Sequence, residues 1–483
     1  MNKLQEIKNT LWRRGDLKFL LRPEQKDMYT FYWDQHQRLQ VWNCSRQLGK
    51  STSLTVVALA QCLKTPNSLV IFAAPTAKQA GEILKQKLIF LLESCPKDVK
   101  PKVNKSAGEV EFQNGSRMIV VGVDSDDGRR LRGNTAHMIL LDEAAFMGDL
   151  EDLVNNIFTP MTRQTNGRII ISSTPPHTMA HAFPEYVGRA KHNKGYLQKT
   201  IMQSGLPLNE IKAAIREHSI FNPQGKIIKY GNKRPGFRIE YMCELITDEE
   251  KLIIPEWPSV KEFTVMDTDR PDSFQPYVGA DWGMRDYDAI IFGYLDFARQ
   301  KLVIEDEILE NNMTPSDIGA LIKAKTEKLY PRFVARQEIT TKYNDIKFFS
   351  DNDLRVISEI RKQTGITFMP AAKYDRDASI TSLRTTIKSC KIEINPRCTN
   401  LIKQLDEGIW EFNKKGERTD FVRNERLGHC DALSAFRYLH RMVKWDINPI
   451  KTPLPSEHDH HITPQVRKKH ADPDGWQGII GRR

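Results

Sequence analysis

The sequence predicts an α/β protein with two successive sheets. Apolar, strand-like runs such as Ser68–Pro75 and Met138–Leu141 alternate with helical patterns through the first half. That alternation is typical of a parallel sheet with helices on both faces. Polar, proline-punctuated residues 255–276 then separate this part from a second series of strands and helices. A chain of 483 residues has room for these domains.

The amino-acid composition indicates which class of protein this is and which kinds of partner it would bind. The chain is 40% hydrophobic and 28% charged, which is ordinary for a soluble globular protein. Its net charge of +11 favours a polyanionic partner, although a generally cationic surface would give the same value. No apolar run approaches membrane-spanning length, so we expect no membrane partner. The seven cysteines lack C-x-x-C spacing, which favours reduced thiols in a cytosolic setting.

Residues 1–40 are polar and predicted to be helical, and they contain Gln25. A glutamine shortly before a phosphate-binding loop can pair its amide with the edge of adenine and so select ATP. The alternative is an exposed helical glutamine, which is the commoner setting for this residue.

A phosphate-binding loop is predicted at Cys44–Ser51, between a short strand at Gln40–Asn43 and a helix that begins near Thr52. The backbone amides around Gly49 would cradle phosphate oxygens, Lys50 would reach the β- and γ-phosphates of ATP, and Ser51 would bind Mg²⁺. Cys44 replaces the first glycine of the usual motif. The alternative is a chance Gly-Lys-Ser before a helix.

The next elements follow from local patterns. Ser68–Pro75 is predicted to be a buried strand and Thr76–Leu92 a helix. Residues 96–105 are predicted to be a loop. Val110–Val123 is predicted to form a hairpin that turns at Asn114-Gly115.

Two carboxylates follow the strand Met138–Leu141. Ligands of open α/β sheets bind at the carboxyl ends of the strands, so these acids are candidates for chemistry. Asp142 would hold Mg²⁺ directly or through water, and Glu143 would orient and deprotonate the attacking water. The alternative is a strand that ends in solvated acids.

A third strand, Arg168–Ile171, ends in Ser172-Ser173-Thr174, whose hydroxyls would sense the γ-phosphate unless they form a simple strand exit. Residues 180–250 are predicted to form a small linking subdomain with a helix at Leu208–Glu217. Its run Lys226–Arg234 mixes cations with an aromatic residue, which suits either DNA phosphates or a solvated face.

The second half shows a comparable series of elements. The predicted strands and helices are a strand at Tyr277–Gly283, antiparallel strands at Ala289–Asp296 and Lys301–Ile308, a helix near Ser316–Leu329, a strand at Lys347–Asp351, and helices at Leu354–Gln363 and Gly428–Tyr438.

Three acids, Asp281, Asp351 and Asp431, lie on separate elements of this half and suggest one cluster. Converging carboxylates need divalent cations, and hard oxygen ligands suit Mg²⁺ or Mn²⁺. Two such ions can activate water and stabilise the leaving oxygen in phosphodiester cleavage. The alternative is a set of unrelated surface acids.

Four segments together resemble motifs of the large terminase subunits of tailed bacteriophages, the ATP-driven motors that package DNA into capsids. They are Ser45–Ser51, Leu131-Arg132-Gly133, Leu141–Phe146 and Ser172–Pro175. That family often lacks the first glycine of the phosphate loop. The resemblance also implies Arg46 as an arginine finger, although it would equally fit an arginine that binds ground-state phosphate, with the finger coming from a neighbouring subunit.

The resemblance implies a ribonuclease H-like nuclease in the second half, with Asp281, Asp351 and Asp431 as its metal-binding acids. The family often has two further acids near the last of these. Here the positions are Cys430 and Ser434, which leaves the fourth ligand open.

The resemblance also implies accessory roles for Asp288 and His429. The segment Lys388–Phe412 is similar to the family's stretch before the last acid. Expected partners are double-stranded DNA, a small terminase subunit, a portal protein and further copies of the chain on the portal. ATP and Mg²⁺ are the expected cofactors, with Mn²⁺ as a second possibility at the nuclease site, and the expected location is the host cytoplasm, transiently at the procapsid.

The predicted domains are a P-loop ATPase domain at 1–180, a linking subdomain at 181–254, a nuclease domain at 255–445 and an extended tail at 446–483. Within the tail, His458–His461 suits a metal or an unstructured polar stretch, and Val466–His470 and Arg482-Arg483 suit a partner, DNA or solvent. Two other functions remain possible from the sequence: a helicase or remodelling ATPase without nuclease activity, and a DNA-binding scaffold without activity.

Overall fold

The computed structural model describes residues 3–124, 130–283, 287–334, 345–371, 376–413, 415–424 and 426–446. Two large sheets with helices on their faces organise these residues, so the predicted α/β class is confirmed. The predicted tail, except residue 446, lies outside the described residues, as do all three of its candidate motifs.

The first half contains ten strands and ten α-helices among the residues described. The strands are β1 (Leu39–Cys44), β2 (Leu69–Ala74), β3 (Lys102–Asn104), β4 (Glu109–Glu111), β5 (Arg117–Gly122), β6 (Met138–Asp142), β7 (Arg168–Ser173), β8 (Tyr196–Lys199), β9 (Ile220–Phe221) and β10 (Ile227–Lys229). The helices are α1 (Lys3–Arg14), α2 (Pro23–Asp34), α3 (Lys50–Lys64), α4 (Ala77–Glu82), α5 (Ile89–Leu92), α6 (Leu150–Asp152), α7 (Thr159–Met161), α8 (Ala182–His192), α9 (Leu208–Glu217) and α10 (Pro235–Glu240).

The first sheet has eight strands in the order β3-β4-β5-β2-β6-β7-β1-β8. Strands β5, β2, β6, β7, β1 and β8 run parallel, and β3 and β4 extend one edge in antiparallel fashion. The register pairs Asp142 with Ser172, and Asn43 with Ser173. The phosphate loop, the acidic pair and the hydroxyl residues therefore meet at one edge of the sheet.

Both faces of this sheet are buried, as the apolar character of β2 requires. Val70 and Phe72 pack with helix α3 in one core, while Ile71 and Ala73 pack with Phe183 of α8 in the core on the other face. Because successive side chains of a strand point to opposite faces, one continuous apolar strand serves both cores.

Two local predictions need correction. Residues 96–105 are not all loop, because β3 lies within them and pairs with β4 through Val103 and Val110. Its polar flanks, Lys102 and Asn104, are exposed at the sheet edge and hide the strand pattern. The helix predicted at Thr76–Leu92 contains a π-helical turn, Ile83–Leu88, between α4 and α5. The hairpin between β4 and β5 is confirmed.

The first sheet continues beyond residue 180. Strand β8 lies in the segment predicted as a linking subdomain, and it pairs in parallel with β1. It is an edge strand of mixed composition, Tyr-Leu-Gln-Lys, so its sequence carries no apolar run. Residues 181–254 therefore supply one strand of the first sheet, and the division of the chain into domains stays a prediction.

The second half contains eight strands and seven α-helices among the residues described. The strands are β11 (Phe274–Asp281), β12 (Tyr287–Asp296), β13 (Lys301–Asn311), β14 (Lys347–Ser350), β15 (Met369–Pro370), β16 (Ile392–Ile394), β17 (Trp410–Phe412) and β18 (Arg418–Phe421). The helices are α11 (Trp257–Thr264), α12 (Pro315–Leu329), α13 (Pro331–Val334), α14 (Leu354–Thr364), α15 (Arg376–Lys388), α16 (Thr399–Glu407) and α17 (Asp431–Met442).

The second sheet has six strands in the order β15-β14-β11-β12-β13-β16. Strands β11, β12 and β13 form an antiparallel meander, and β14 joins β11 in parallel. Helices α12 and α14 cover one face, and α11, α15, α16 and α17 cover the other. Three antiparallel strands followed by parallel additions, with a late helix against the first strand, is the arrangement expected of a ribonuclease H-like fold.

The two halves are joined by backbone hydrogen bonds. Leu252 and Ile409 form an antiparallel bridge. The Ile253 amide donates to the Gly408 carbonyl at 3.0 Å, and the Trp410 amide donates to the Lys251 carbonyl at 2.9 Å. Residues 251–253 are thus hydrogen-bonded to the second half of the chain. In the part of the chain that the structure describes, none of the helices has both the length and the apolar composition that spanning a bilayer requires.

Helix α17 lies directly on β11 because Gly279 has no side chain. A Cβ atom there would lie 2.5 Å from the Ala435 carbonyl oxygen and 2.6 Å from the Leu439 Cβ. We expect Gly279→Ala to lower the free energy of unfolding by about 1–3 kcal/mol, since the helix must move away from the strand. Urea denaturation followed by circular dichroism measures this.

Gly188→Ala in helix α8 is the matched control. A Cβ atom at Gly188 meets nothing within 4 Å. Alanine there should raise the free energy of unfolding by up to about 1 kcal/mol, because glycine is the weaker helix former. Equal effects of the two substitutions would contradict the close packing of α17 on β11.

Candidate functional site

The predicted phosphate loop joins the end of β1 to the start of α3. Gly49 has a φ of +85°, in the left-handed region, and a Cβ atom there would lie 2.0 Å from the Gln25 Nε2 atom. Only glycine fits both the backbone and the space. Lys50 and Ser51 form the first turn of α3, where free backbone amides and the helix dipole favour an anion.

Gln25 supports this loop from helix α2. Its side chain donates to the carbonyls of Leu48 and Gly49 at 3.4 and 3.3 Å and accepts from the Arg22 amide at 3.0 Å. The residue is only 4% exposed, so the alternative of an exposed glutamine is wrong. Its pairing with adenine stays a prediction.

Lys50 and Glu143 form an ion pair across the strand ends. The Lys50 Nζ and Glu143 Oε1 atoms lie 2.9 Å apart, and the lysine side chain is 6% exposed against 31% for the glutamate. Glu143 has a φ of +54°, so the chain turns sharply where β6 ends. The predicted phosphate-binding cation and the predicted general base therefore share one site.

Asp142 lies beside this pair and is buried. Burial and the neighbouring Glu143 raise its pKa above the ordinary value, while Lys50 and a hydrogen bond with Ser51 act in the opposite direction. Among the described residues, the Asp142 Oδ1 atom has no hydrogen-bond partner. A buried carboxylate oxygen beside a serine hydroxyl fits a hydrated Mg²⁺ ion, because both are hard oxygen ligands.

The hydroxyl residues at the end of β7 reach the same edge. The Ser173 Oγ atom accepts a hydrogen bond from the Ala145 amide at 3.1 Å, two residues after Glu143. Ser172 and Thr174 are buried next to it. The structure thus connects β7 with the turn that carries Glu143, and the role of Thr174 toward a nucleotide stays a prediction.

Arg46 is held by a residue that sequence reasoning missed. Its amide donates to the Glu240 carbonyl at 3.1 Å, and its Nη2 atom lies 3.3 Å from the Glu240 Oε1 atom. The Arg46 side chain is 53% exposed, and that of Glu240 is 18% exposed. Glu240 ends helix α10 in a stretch without a recognisable motif, so no sequence signal marked it.

His177 extends this contact away from the loop. Its Nε2 atom lies 3.6 Å from Glu240 Oε1, and its Nδ1 atom lies 3.2 Å from Asp248 Oδ2. Burial acts to lower the pKa of His177, but hydrogen bonds with Asp248 and Glu240 outweigh it, so the pKa is raised. The nearby Lys251 acts to lower it. For Glu240, burial acts to raise the pKa, but His177 and Arg46 outweigh it, so that pKa is lowered.

Asp281 and Asp351 follow neighbouring parallel strands. Ala280 of β11 pairs with Ser350 of β14, and the Asp351 amide donates to the Ala280 carbonyl at 3.2 Å. Both acids act on Tyr438 of α17. Its pKa is raised to about 12, first by burial and then by the charges of Asp281 and Asp351. The structure therefore brings the first two predicted acids to the same end of the second sheet.

Asp431 is the first residue of α17, the helix that packs on β11. Its Oδ2 atom accepts from the His429 amide at 3.2 Å. Within the described ranges, no group of three or more histidine, cysteine or acidic residues is arranged to hold a metal ion. The three-acid metal site accordingly stays a prediction, supported by oxygen donors of the type that Mg²⁺ or Mn²⁺ prefers.

The accessory candidates have defined contacts. Asp288 is buried, its Oδ1 atom accepts from the Gly283 amide at 3.1 Å, and burial with a contribution from Asp351 raises its pKa. The His429 Nε2 atom lies 3.4 Å from an Asp420 carboxylate oxygen. Sequence reasoning missed Asp420, which lies on β18.

The two positions considered for a fourth ligand are both buried. Cys430 is fully buried, and burial raises the pKa of its thiol, which favours the protonated form rather than a metal-binding thiolate. Ser434 lies one turn further along α17. Neither supplies a carboxylate.

The basic run Lys226–Arg234 is partly engaged within the protein. Lys229 Nζ and Arg234 Nη2 lie 3.1 and 2.7 Å from the carboxylate of Glu250. Tyr230 is 51% exposed. Contact of this run with DNA stays a prediction.

Comparison with known proteins gives a family match for part of the chain. Residues 41–257 match the family model described as terminase large subunit, T4likevirus-type, N-terminal. This covers both the phosphate loop and Glu240. The predicted resemblance to large terminase subunits is thus confirmed.

Solved structures of terminases have low sequence identity and low TM-scores when compared with this chain. The HK97 bacteriophage large terminase is 14% identical, with 87% of this chain and 94% of that chain covered and a TM-score of 0.49. The ATPase domain of the Thermus phage P74-26 large terminase is 20% identical, with 43% and 89% covered and a TM-score of 0.34. The large terminase nuclease from thermophilic phage G20c with bound magnesium is 17% identical, with 40% and 97% covered and a TM-score of 0.29. Similarity at this level does not extend to individual residues.

The raised pKa of His177 predicts a pH-dependent contribution to stability. A histidine whose pKa is raised on folding stabilises the protein most below its ordinary pKa of about 6.5, and the contribution disappears as the pH rises through the folded-state value. We therefore expect His177→Gln to reduce the free energy of unfolding most at about pH 6 and less at about pH 8.5. Urea denaturation of both proteins across this range measures it.

Asp248→Asn should shrink the same pH dependence, because it removes the closer carboxylate partner of His177. The buried His440, whose pKa is lowered to about 4 by burial, is unchanged in all three proteins and cancels in the comparison. A difference between wild type and His177→Gln that grows as the pH rises would contradict the assignment.

Proposed function

The chain is similar to the large terminase subunits of tailed bacteriophages over residues 41–257, and we propose that it is the motor subunit that packages double-stranded DNA into a capsid. In this proposal the first half hydrolyses ATP to move the DNA, and the second half cuts it. The observation that carries the proposal is the 2.9 Å contact between Lys50 and Glu143 at the phosphate loop of the family-matched region.

ATP hydrolysis assigns a role to each residue at the strand ends. The amides after Gly49 bind the phosphates, and Lys50 moves from Glu143 to the β- and γ-phosphates, which are stronger anions. Glu143 is then free to take a proton from the attacking water. Its turn beside Ser173 makes β7 the element that responds to loss of the γ-phosphate, with Thr174 next in the chain.

A magnesium ion fits beside the loop, held by Ser51 and Asp142. Bound there, Mg²⁺ would neutralise charge on the β- and γ-phosphates. Lys50 and Ser51 reduce the cost of ionising the buried Asp142, which opposes the effect of burial on this carboxylate.

Arg46 is the arginine that we assign to the nucleotide phosphates in cis, both in bound ATP and in the transition state. It lies in the phosphate loop, half exposed, and its guanidinium offers five donors to phosphate oxygens. An arginine from a neighbouring copy of the chain on the portal is the other source of this charge.

Cleavage is assigned to Asp281, Asp351 and Asp431 with Mg²⁺ or Mn²⁺. The first two follow adjacent strands, and the third starts the helix that packs on β11. Bound metals would supply an activated water and stabilise the leaving oxygen. The nearby Asp288 is an accessory acid.

Duplex DNA is the polyanion that a net charge of +11 suits. A translocating motor contacts mainly phosphates, since it cannot depend on base sequence. The small terminase subunit, the portal protein and further copies of the chain are the proposed partners, in the host cytoplasm and transiently at the procapsid.

Lys50→Ala and Glu143→Gln test the ATPase. Each should lower kcat for ATP hydrolysis at least about 100-fold, because one removes phosphate charge stabilisation and the other the general base. Only Lys50→Ala should also weaken nucleotide binding. Steady-state phosphate release and calorimetric titration with ATPγS and Mg²⁺ measure the two effects.

Lys64→Ala is the matched control. Lys64 ends the same helix and lies 2.8 Å from Asp16 at the surface, away from the loop. Its substitution should leave kcat close to wild type. A loss equal to that of Lys50→Ala would show that helix stability, rather than phosphate binding, is measured.

Asp281→Asn tests the nuclease. Cleavage of supercoiled plasmid in Mn²⁺ or Mg²⁺ should fall at least about 100-fold, the scale expected when a group that stabilises transition-state charge is lost. ATP hydrolysis should persist. Asp272→Asn, an exposed acid before β11, is the control and should cut normally. An active ATPase with no cleavage by wild type would favour a helicase or remodelling ATPase instead.

A further inference from the structure

A run of alternating charges leads away from the phosphate loop. It passes from Arg46 to Glu240 at 3.3 Å, from Glu240 to His177 at 3.6 Å and from His177 to Asp248 at 3.2 Å. Lys251 adds a further positive charge near Asp248 and Glu240. Opposite charges stabilise each neighbour in its charged form, so a change at one end alters the balance along the run.

Glu240 reaches the loop from a fixed support. Helix α10 is anchored by the buried side chains of Phe237 and Ile239. The carbonyl of Tyr241, which follows the helix, accepts from the Ile201 amide at 2.8 Å. Because its own carbonyl also holds the Arg46 amide, Glu240 binds both the backbone and the side chain of that arginine.

The other end of the run reaches the junction with the second half. The Asp248 amide donates to the His177 carbonyl at 2.8 Å. Three residues later, the Lys251 carbonyl accepts from the Trp410 amide, and Ile253 donates to Gly408. A short segment therefore lies between the charge run and the second half of the chain.

We infer that Glu240 is a positioning residue for Arg46, because it holds the guanidinium beside the loop until a nucleotide phosphate competes for it. Through their contacts with Glu240 and with each other, His177 and Asp248 then transmit the loss of this ion pair to residues 251–253. This inference rests on the proposed function, because the competing anion is a phosphate of ATP. The inference assigns Glu240 a role through Arg46 and not through a contact of its own with the nucleotide.

Competition is feasible because the Arg46–Glu240 pair is partly exposed and therefore weak. A phosphate carries more charge than one carboxylate and takes the guanidinium from it. Once Arg46 leaves, Glu240 loses one positive neighbour and keeps His177 and the nearby Lys251. The relative strengths of the two ion pairs that His177 forms, with Glu240 and with Asp248, then change.

Glu240→Gln is the first test. It keeps the side-chain shape and removes the charge that competes for Arg46, so the Kd for ATPγS with Mg²⁺ should fall about two- to fivefold, the change expected for loss of a weak competing ion pair. In an Arg46→Gln background the same substitution should have no effect, since the two residues act through each other.

Glu244→Gln is the matched control. It removes the same charge from a glutamate four residues away, which pairs with Arg238 at 2.6 Å instead of with the loop. Its Kd should equal that of wild type. Equal shifts in Glu240→Gln and Glu244→Gln would overturn the inference, because they would report net charge alone.

The second test follows residues 248–254 by hydrogen–deuterium exchange. ATPγS with Mg²⁺ should change exchange in this segment in wild type, and Glu240→Gln should lose most of that change. His177→Gln should also lose it, so a poorly folded Glu240 variant does not prevent the test. A nucleotide-induced change that persists in both variants would overturn the inference.

These outcomes separate the inference from the proposed function. A wild-type protein that binds no ATPγS refutes the proposed ATPase and removes the basis of the inference. A wild type that binds and hydrolyses ATP, with Glu240→Gln and Glu244→Gln alike in affinity and exchange, refutes the inference alone.

Discussion

The ion pair between Lys50 and Glu143 is the interaction on which the first site depends. Its ammonium group is almost fully buried, and a buried cation without a counter-charge would be strongly unfavourable. Glu143 provides that charge from a backbone with a φ of +54°, a conformation that costs about 1 kcal/mol or more for a residue with a side chain. The parallel register of β6, β7 and β1 holds this turn in place, so the site is electrostatically complete before a nucleotide binds.

Parallel strands explain why much of this site was predictable. Each strand end is marked in the sequence by a change from apolar to polar residues, as at Leu141-Asp142 and Ile171-Ser172. Parallel pairing then brings these ends to one edge without further information. In the second half, the sequence indicated only that Asp281 and Asp351 end separate strands, and the structure shows that these strands are neighbours. For the late helix, the sequence placed Asp431 correctly in the first turn, but the packing of α17 over Gly279 was visible only in the structure.

The parts that sequence reasoning missed depend on contacts between distant segments. Glu240 and Asp248 lie in a stretch whose composition resembles a solvated surface, and their importance comes only from meeting Arg46 and His177. Strand β8 was missed because an edge strand needs no apolar run. Gln25 was weighed as an exposed residue because its burial comes from the loop it supports, which no local pattern encodes.

The contacts between the two halves differ in what each can contribute. Backbone hydrogen bonds at residues 251–253 are directional and lie beside the buried Leu252 and Ile409, so they fix the segment that follows Asp248. The pair between Arg426 and Glu185 joins the loop before Asp431 to helix α8, but the glutamate is 52% exposed. Such an exposed ion pair contributes about 0–1 kcal/mol to the free energy of unfolding. Its main effect is therefore to orient the loop relative to the helix. The charge run from Arg46 therefore reaches the second half at a junction that is held by backbone hydrogen bonds rather than by an exposed ion pair.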